Sequence, residues 1–434
     1  MIKDAHDLSL STAHASTVAA YDKYAADWIG YGTQVRSIFT AADADPDCAF
    51  VNAHAAAVHM ALEASSGFRK ARLHLTRARK NVRDASPREQ AFVAAVHDWW
   101  RGNTKAAIKR LRAIVTEHPA DIVAAKWAQY LAFNLGDAAT MCDTAKAVMP
   151  AHRGTAEAWG MLAFGHEQTN DLEMAEEAGL QALSLKRGEP WAQHAIAHVM
   201  ETQGRVDDGI AFLNDHAKTW ADRSIFIREH NYWHLALFHL DRDEPVRALQ
   251  IFDDHLWGEW PEFAQEQIGA ISALWRLELR GTYVGTRWNP VVAKVVERWH
   301  EHILPFHDLH FVYALARGGR KAELRDFIAS MTRHGEKDAS GIWDSIAIPC
   351  AQGLAAYAEG RFAIAADLIG PLLERLHLIG GSHAQRDVFT QTWIDAALRA
   401  GDHAAVAGVL THRARARPAV KETQRLLQRI RVAA

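Results

Sequence analysis

Cysteine is scarce. Only Cys48, Cys142 and Cys350 occur in 434 residues, too far apart and odd in number for a disulfide framework or a cysteine-based zinc site, which suits a reducing compartment. There is no surplus of basic charge either. Forty-nine Lys and Arg stand against 52 Asp and Glu, for a net charge of -3. No global basic field then argues for nucleic acid, and none is expected as a partner. No apolar run approaches the roughly 18 residues of a membrane span. The opening stretch MIKDAHDLSLS carries no apolar region of the secretory kind. The expectation is a soluble, cytoplasmic chain with no membrane partner.

Alternating strand patterns are also missing. Ala, Leu, Glu and Arg dominate instead, with apolar residues three and four apart and Gly or Asp as punctuation, which is helix throughout. The helices keep a period: Gly102, Gly136, Asn170 and Gly204 stand 34 residues apart, the helix-turn-helix rhythm of tetratricopeptide repeats. Within one copy, Trp159, Leu162 and Ala163 suit the first helix and Ala175, Gly179 and Ala182 the second. The fold class expected is all-α, a tetratricopeptide-repeat-like helical solenoid curled around a central pocket. Its segments are two or three N-terminal helices (1–86), regular repeats (87–255), an irregular helical segment in which the rhythm dissolves (256–340), and C-terminal repeats with a capping helix (341–434). The arginines from Arg413 onward are expected to be solvated.

The other abundance is of titratable and aromatic rings, with 25 His and 15 Trp. Their densest grouping lies in WAQHAIAHVMETQG and REHNYWHLALFHL. His194 and His198, like His230 and His234, are four apart and therefore share a helix face, and Glu201 continues the first stripe. Repeats of this type line a concave groove with their first helices. The positions that face the groove in tetratricopeptide proteins generally would include Lys126, Tyr130, His194, His198, Glu201, His230 and Trp233, with His234 beside them.

Two stacked His pairs can converge on one divalent transition metal. They serve equally as a metal-free acid–base or anion-binding site tuned by Glu201. The metalloprotease spacing His-Glu-x-x-His is absent. A second cluster, GGSHAQRD, sets Ser382 at a helix start with Gln385, Arg386 and Asp387 just inside it; free N–H groups and a guanidinium there could hold an anion, although a plain capped helix reads the same. Asp308 and His310, in PFHDLHF, are further candidates.

HAIAHVMETQGRVDDGIAFL, REHNYWHLALFHL, FHDLHF and GGSHAQRDVF together resemble the tetratricopeptide repeat protein 38 family, over most of the chain. The resemblance adds His54, in FVNAHA, to the candidates and raises Ser382, Gln385, Arg386 and Asp387 from a helix cap to site components. It implies polar, groove-facing residues around a pocket and no particular reaction.

The expected function is binding of a small polar or anionic ligand by His194, His198, Glu201, His230 and His234. Arg386 and Ser382 would hold its charge and Trp233 would stack on it, with acid–base or metal-assisted hydrolysis or elimination as the chemistry the residues suit. The competing expectation is a non-catalytic scaffold that binds peptides in its groove. Homodimerisation through an end repeat is compatible with either.

Overall fold

The computed structural model describes residues 1–433. The protein is an all-α helical-repeat chain of tetratricopeptide type. Among the described residues it has 23 α-helices, and its one sheet is a two-residue hairpin pairing Ile2–Lys3 with Ser9–Leu10. It divides into two compact units: residues 1–196 with 219–227, and residues 197–218 with 228–434. The four sequence segments run across these units, the regular repeats being shared between them.

Why the helices pair is visible in their ends. Gly102, Gly136, Asn170 and Gly204 all sit at positive φ, between 63° and 83°. The next residue's N–H reaches back five residues, as from Asn103 to the Asp98 carbonyl, Asp137 to Ala132, Asp171 to His166 and Arg205 to Met200, at 2.8–2.9 Å. This closes each first helix with a left-handed cap that turns the chain sharply into the second.

The same device continues where the sequence rhythm is lost. Asp243, Gly281, Gly319, Gly360 and Gly401 are again left-handed, and each following N–H again bonds five residues back, for example Thr282 to Leu277 and Arg320 to Leu315, both at 3.0 Å. The segment 256–340, expected to be irregular with the repeat lost from Leu256 to His302, thus carries the same turns at Gly281 and Gly319. Helix pairs persist there, Ala264–Leu279 with Trp288–Val296 and Pro305–Arg317 with Lys321–Gly335, at a longer spacing that a search for 34 misses.

In the first unit, four helices precede residue 86 (Ala15–Gly30, Ser37–Ala44, Ala49–Met60 and Ser65–Asn81), more than the two or three expected. First helices such as Ile122–Asn134 are buried on nearly every face, whereas second helices such as Thr104–Glu117 bury one stripe, the difference between an inner and an outer layer. Arg88 and Asp121 form an ion pair at 2.6 Å with side chains 5% and 3% exposed, and Asp121 also caps Ile122–Asn134 through the Ala124 N–H at 2.9 Å.

The second unit packs its apolar core around Trp275, Tyr313, Phe327 and Phe389. Its tail contradicts the sequence expectation. The chain breaks at Pro418 into two helices, His403–Ala416 and Lys421–Ala433. Arg413 and Arg417 are not solvated but turn inward onto Asp387 and Asp241.

Candidate functional site

The helix Pro190–Gln203 begins in the first unit and ends in the second, where it carries His198 and Glu201; Ile225–Asp241 brings His230, Trp233 and His234. One ring nitrogen of each of His198, His230 and His234 lies within 4.8 Å of the others. The His198 and His234 rings meet edge-on at 4.4 Å, and His230 and His234 at 5.0 Å. His234 Nδ1–H donates to Glu201 Oε2 at 3.2 Å. Trp233 stacks flat on His230 at 5.3 Å, and the guanidinium of Arg276 lies 5.3 Å from the indole centre.

These groups are buried: His198 is 1% exposed, His234 0% and Trp233 2%. Burial holds the His230 and His234 rings neutral, well below the ordinary imidazole pKa. It also raises the Glu201 carboxyl, against the pull of Arg417, His198 and Arg276. His194 stands one turn before His198 on the same helix, its ring stacked on Trp191 at 4.3 Å.

Glu201 opens outward as well. It lines a cleft of about 590 Å³ in the second unit, with Arg386, Asp387, Arg413, Arg417, His377, His383, His412 and Glu374. Arg413 grips Asp387 with both guanidinium nitrogens, at 2.5 and 2.9 Å, and Gln391 donates to the same carboxylate at 2.7 Å. Burial alone would raise the Asp387 pKa, but the Arg413 charge and these bonds hold it far below the usual carboxylate range. Arg417 pairs with Asp241. Arg276 donates to the Ala384 carbonyl at 2.6 Å, and burial brings its pKa down to about 10. Sequence reasoning missed Arg276, Arg413, Arg417 and Asp241, because their partners lie 26 to 176 residues away in the chain. No local spacing announces such pairs.

The GGS cluster resolves into structure first. Ser382 Oγ accepts from the Gln385 N–H at 3.2 Å and Gln385 Oε1 from the Ser382 N–H at 2.8 Å, a reciprocal cap. Ser382 and Gln385 thereby engage each other. Gly381 has φ 78°, and a Cβ there would stand 2.8 Å from the Phe306 ring, so the glycine serves the turn. His383, Ala384, Arg386 and Asp387 are the members of this cluster that reach the cleft.

Three other candidates lie in the first unit. His54 is core, stacked on Phe92 at 3.9 Å and accepting from the Tyr24 hydroxyl at 3.0 Å. Lys126 donates to the Tyr31 hydroxyl at 2.6 Å between the Tyr31 and Trp191 rings, and burial lowers its pKa. Tyr130 donates to Glu63 at 2.6 Å.

Asp308 binds His302, described below. His310 lies in the aromatic core, its Nδ1–H on the Phe306 carbonyl at 2.8 Å and its pKa pushed down by burial to about 3. A neutral buried imidazole binds fewer protons folded than unfolded below about pH 6.5. Its contribution is complete above that pH and drains away by about 1.4 kcal/mol per unit as pH falls toward 3. Urea unfolding at a series of pH values between 6 and 4 is expected to give a slope about that much shallower in His310→Phe than in the wild type.

Among the described residues no helix is long and apolar enough to cross a membrane. No family model matches the chain. Solved structures that resemble it are helical-repeat proteins. A human IFIT1 dimer with m7Gppp-AAAA is 12% identical over 99% of this chain and 97% of that one, TM-score 0.43. A monomeric IFIT1 mutant with Gppp-AAAA is 11% identical over 88% and 90%, TM-score 0.41. The P58(IPK) TPR domain is 11% identical over 79% and 99%, TM-score 0.23. The first of these corrects one expectation. The exclusion of nucleic acid as a partner is withdrawn: that structure holds m7Gppp-AAAA, and a net charge of -3 does not by itself rule out such a partner.

Proposed function

We propose that the second unit binds a small anionic ligand in the cleft, beside a divalent transition metal held by His198, His230 and His234. One observation carries this reading: the Glu201 carboxylate lines the cleft and at the same time accepts from His234, so cleft and imidazole cluster form one site. The donor set suits a zinc-class ion. Metal ligation requires neutral imidazoles, and burial supplies them. A carboxylate on the far nitrogen of a ligating histidine fixes tautomer and aim, the part Glu201 plays. Around a tetrahedral ion the nitrogens would stand about 3.3 Å apart, so binding draws the rings together. The ion would act there as a Lewis acid on a polar group of the ligand. Arg386 is the arm that meets the ligand's charge, and the buried Arg276 adds its field from behind.

The resemblance to the tetratricopeptide repeat protein 38 family belongs with this reading. A peptide-binding scaffold, the other use this fold suits, would want first-helix faces open to solvent, and burial of Lys126, His198 and His234 speaks for the pocket instead.

Calorimetric titration with inorganic phosphate and with succinate tests the cleft. The wild type is expected to bind one of them, and Arg386→Leu to weaken that affinity at least about tenfold, the worth of a charge-assisted bond. Equal affinity in both proteins would place the anion elsewhere.

A further inference from the structure

A second constellation in the same unit uses none of the cleft residues. His302 lies on the connection between Trp288–Val296 and Pro305–Arg317, Asp308 in the first turn of the latter, and Ser330 on Lys321–Gly335. His302 Nδ1–H donates to Asp308 Oδ2 at 2.6 Å, and the Ser330 hydroxyl donates to His302 Nε2 at 2.7 Å. Asp308 is 1% exposed and His302 7%, while Ser330 remains half-exposed. The order hydroxyl, imidazole, buried carboxylate is that of an activated serine: the carboxylate fixes the tautomer and leaves Nε2 to take the hydroxyl proton. His302 also has φ 45°, left-handed for a residue with a side chain, a strain of roughly 1 kcal/mol or more that surrounding contacts must hold.

We infer that Ser330, His302 and Asp308 form an acyl-transfer site for small uncharged carboxylic esters. The surroundings choose the substrate class. Phe327 and Trp343 flank the His302 ring at 5.3 and 5.9 Å, offering an apolar wall to a short acyl chain. His334, one turn after Ser330 and 5.4 Å from His302, is kept neutral by burial and supplies an N–H donor for the oxygen of the tetrahedral intermediate.

Ser330 Oγ attacks the ester carbonyl and its proton passes to His302 Nε2. The C–O bond to the alcohol breaks, and the departing alkoxide takes that proton. Water then attacks the acyl-serine, giving its proton to His302, which returns it to Ser330 as the carboxylic acid leaves.

A fluorophosphonate probe on the full-length protein, with p-nitrophenyl acetate as substrate, tests this. The wild type is expected to be phosphonylated on Ser330, with loss of fluoride, and to hydrolyse the ester. Ser330→Ala, a change at a half-exposed position that should fold normally by circular dichroism, is expected to lose the label and at least 100-fold in kcat/KM. His302→Gln should do the same, and the positioning variant Asp308→Asn should lower kcat at unchanged KM. A wild type unlabelled at Ser330, or a folded Ser330→Ala that keeps its esterase rate within twofold, overturns the proposal.

Discussion

Asp387→Ala is expected to cost about 3 kcal/mol of unfolding free energy, and removal of Arg413 as well is expected to restore most of it. Truncating one partner of a buried pair leaves the other charge desolvated and unmatched, which costs about 3–5 kcal/mol when burial is complete. Here about a fifth of each side chain still reaches the cleft, so the lower end applies. Arg413 would keep its charge in any case. In Asp387→Ala it would face Arg417, whose like charge already opposes it, with Asp241 and Glu422 left to offset Arg413 and Asp241 and Glu201 left to offset Arg417. Asp387→Leu with Arg413→Met removes both charges and keeps the volume, the kind of replacement that is often neutral. A double-mutant cycle by urea unfolding should therefore return a coupling of about 2–3 kcal/mol, since contacting charges are not additive. Additive losses within about 0.5 kcal/mol would mean that the pair is a surface ornament.

How much of this was readable beforehand follows the range of the interactions. The left-handed turns are local, written in single residues such as Gly136 and Asn170, so the repeat could be found from spacing. It faded where Asp243 takes the glycine's place and the spacing lengthens. The His pairs were legible for the same reason, because four residues on a helix fix a face. Their burial was not, since it depends on aromatic neighbours such as Trp233 and on partners such as Arg276, brought in by distant chain. GGSHAQRD was legible as a helix cap, and Ser382 and Gln385 do cap each other; that Arg386 and Asp387 also line the cleft depends on distant chain and was not readable from spacing. Ser330 carried no signal at all. A serine in mid-helix is unremarkable until a histidine 28 residues earlier is laid against it.

The proposed binding of metal by His198, His230 and His234 carries the second large expected effect. An ion that binds only the folded chain stabilises it by about 4 kcal/mol at a thousand times its Kd. Replacing two of three imidazole ligands by Ala in His198→Ala/His234→Ala should abolish that gain, because a single remaining imidazole holds such an ion weakly. The account is tested most directly by elemental analysis of the purified full-length protein together with its melting temperature in zinc and nickel. About one transition-metal ion per chain and a rise of several degrees on adding zinc or nickel to stripped protein are expected, both absent from the double variant. Stripped wild type that takes up no metal and melts at the same temperature with and without it, or a double variant that binds as well as the wild type, would contradict the site.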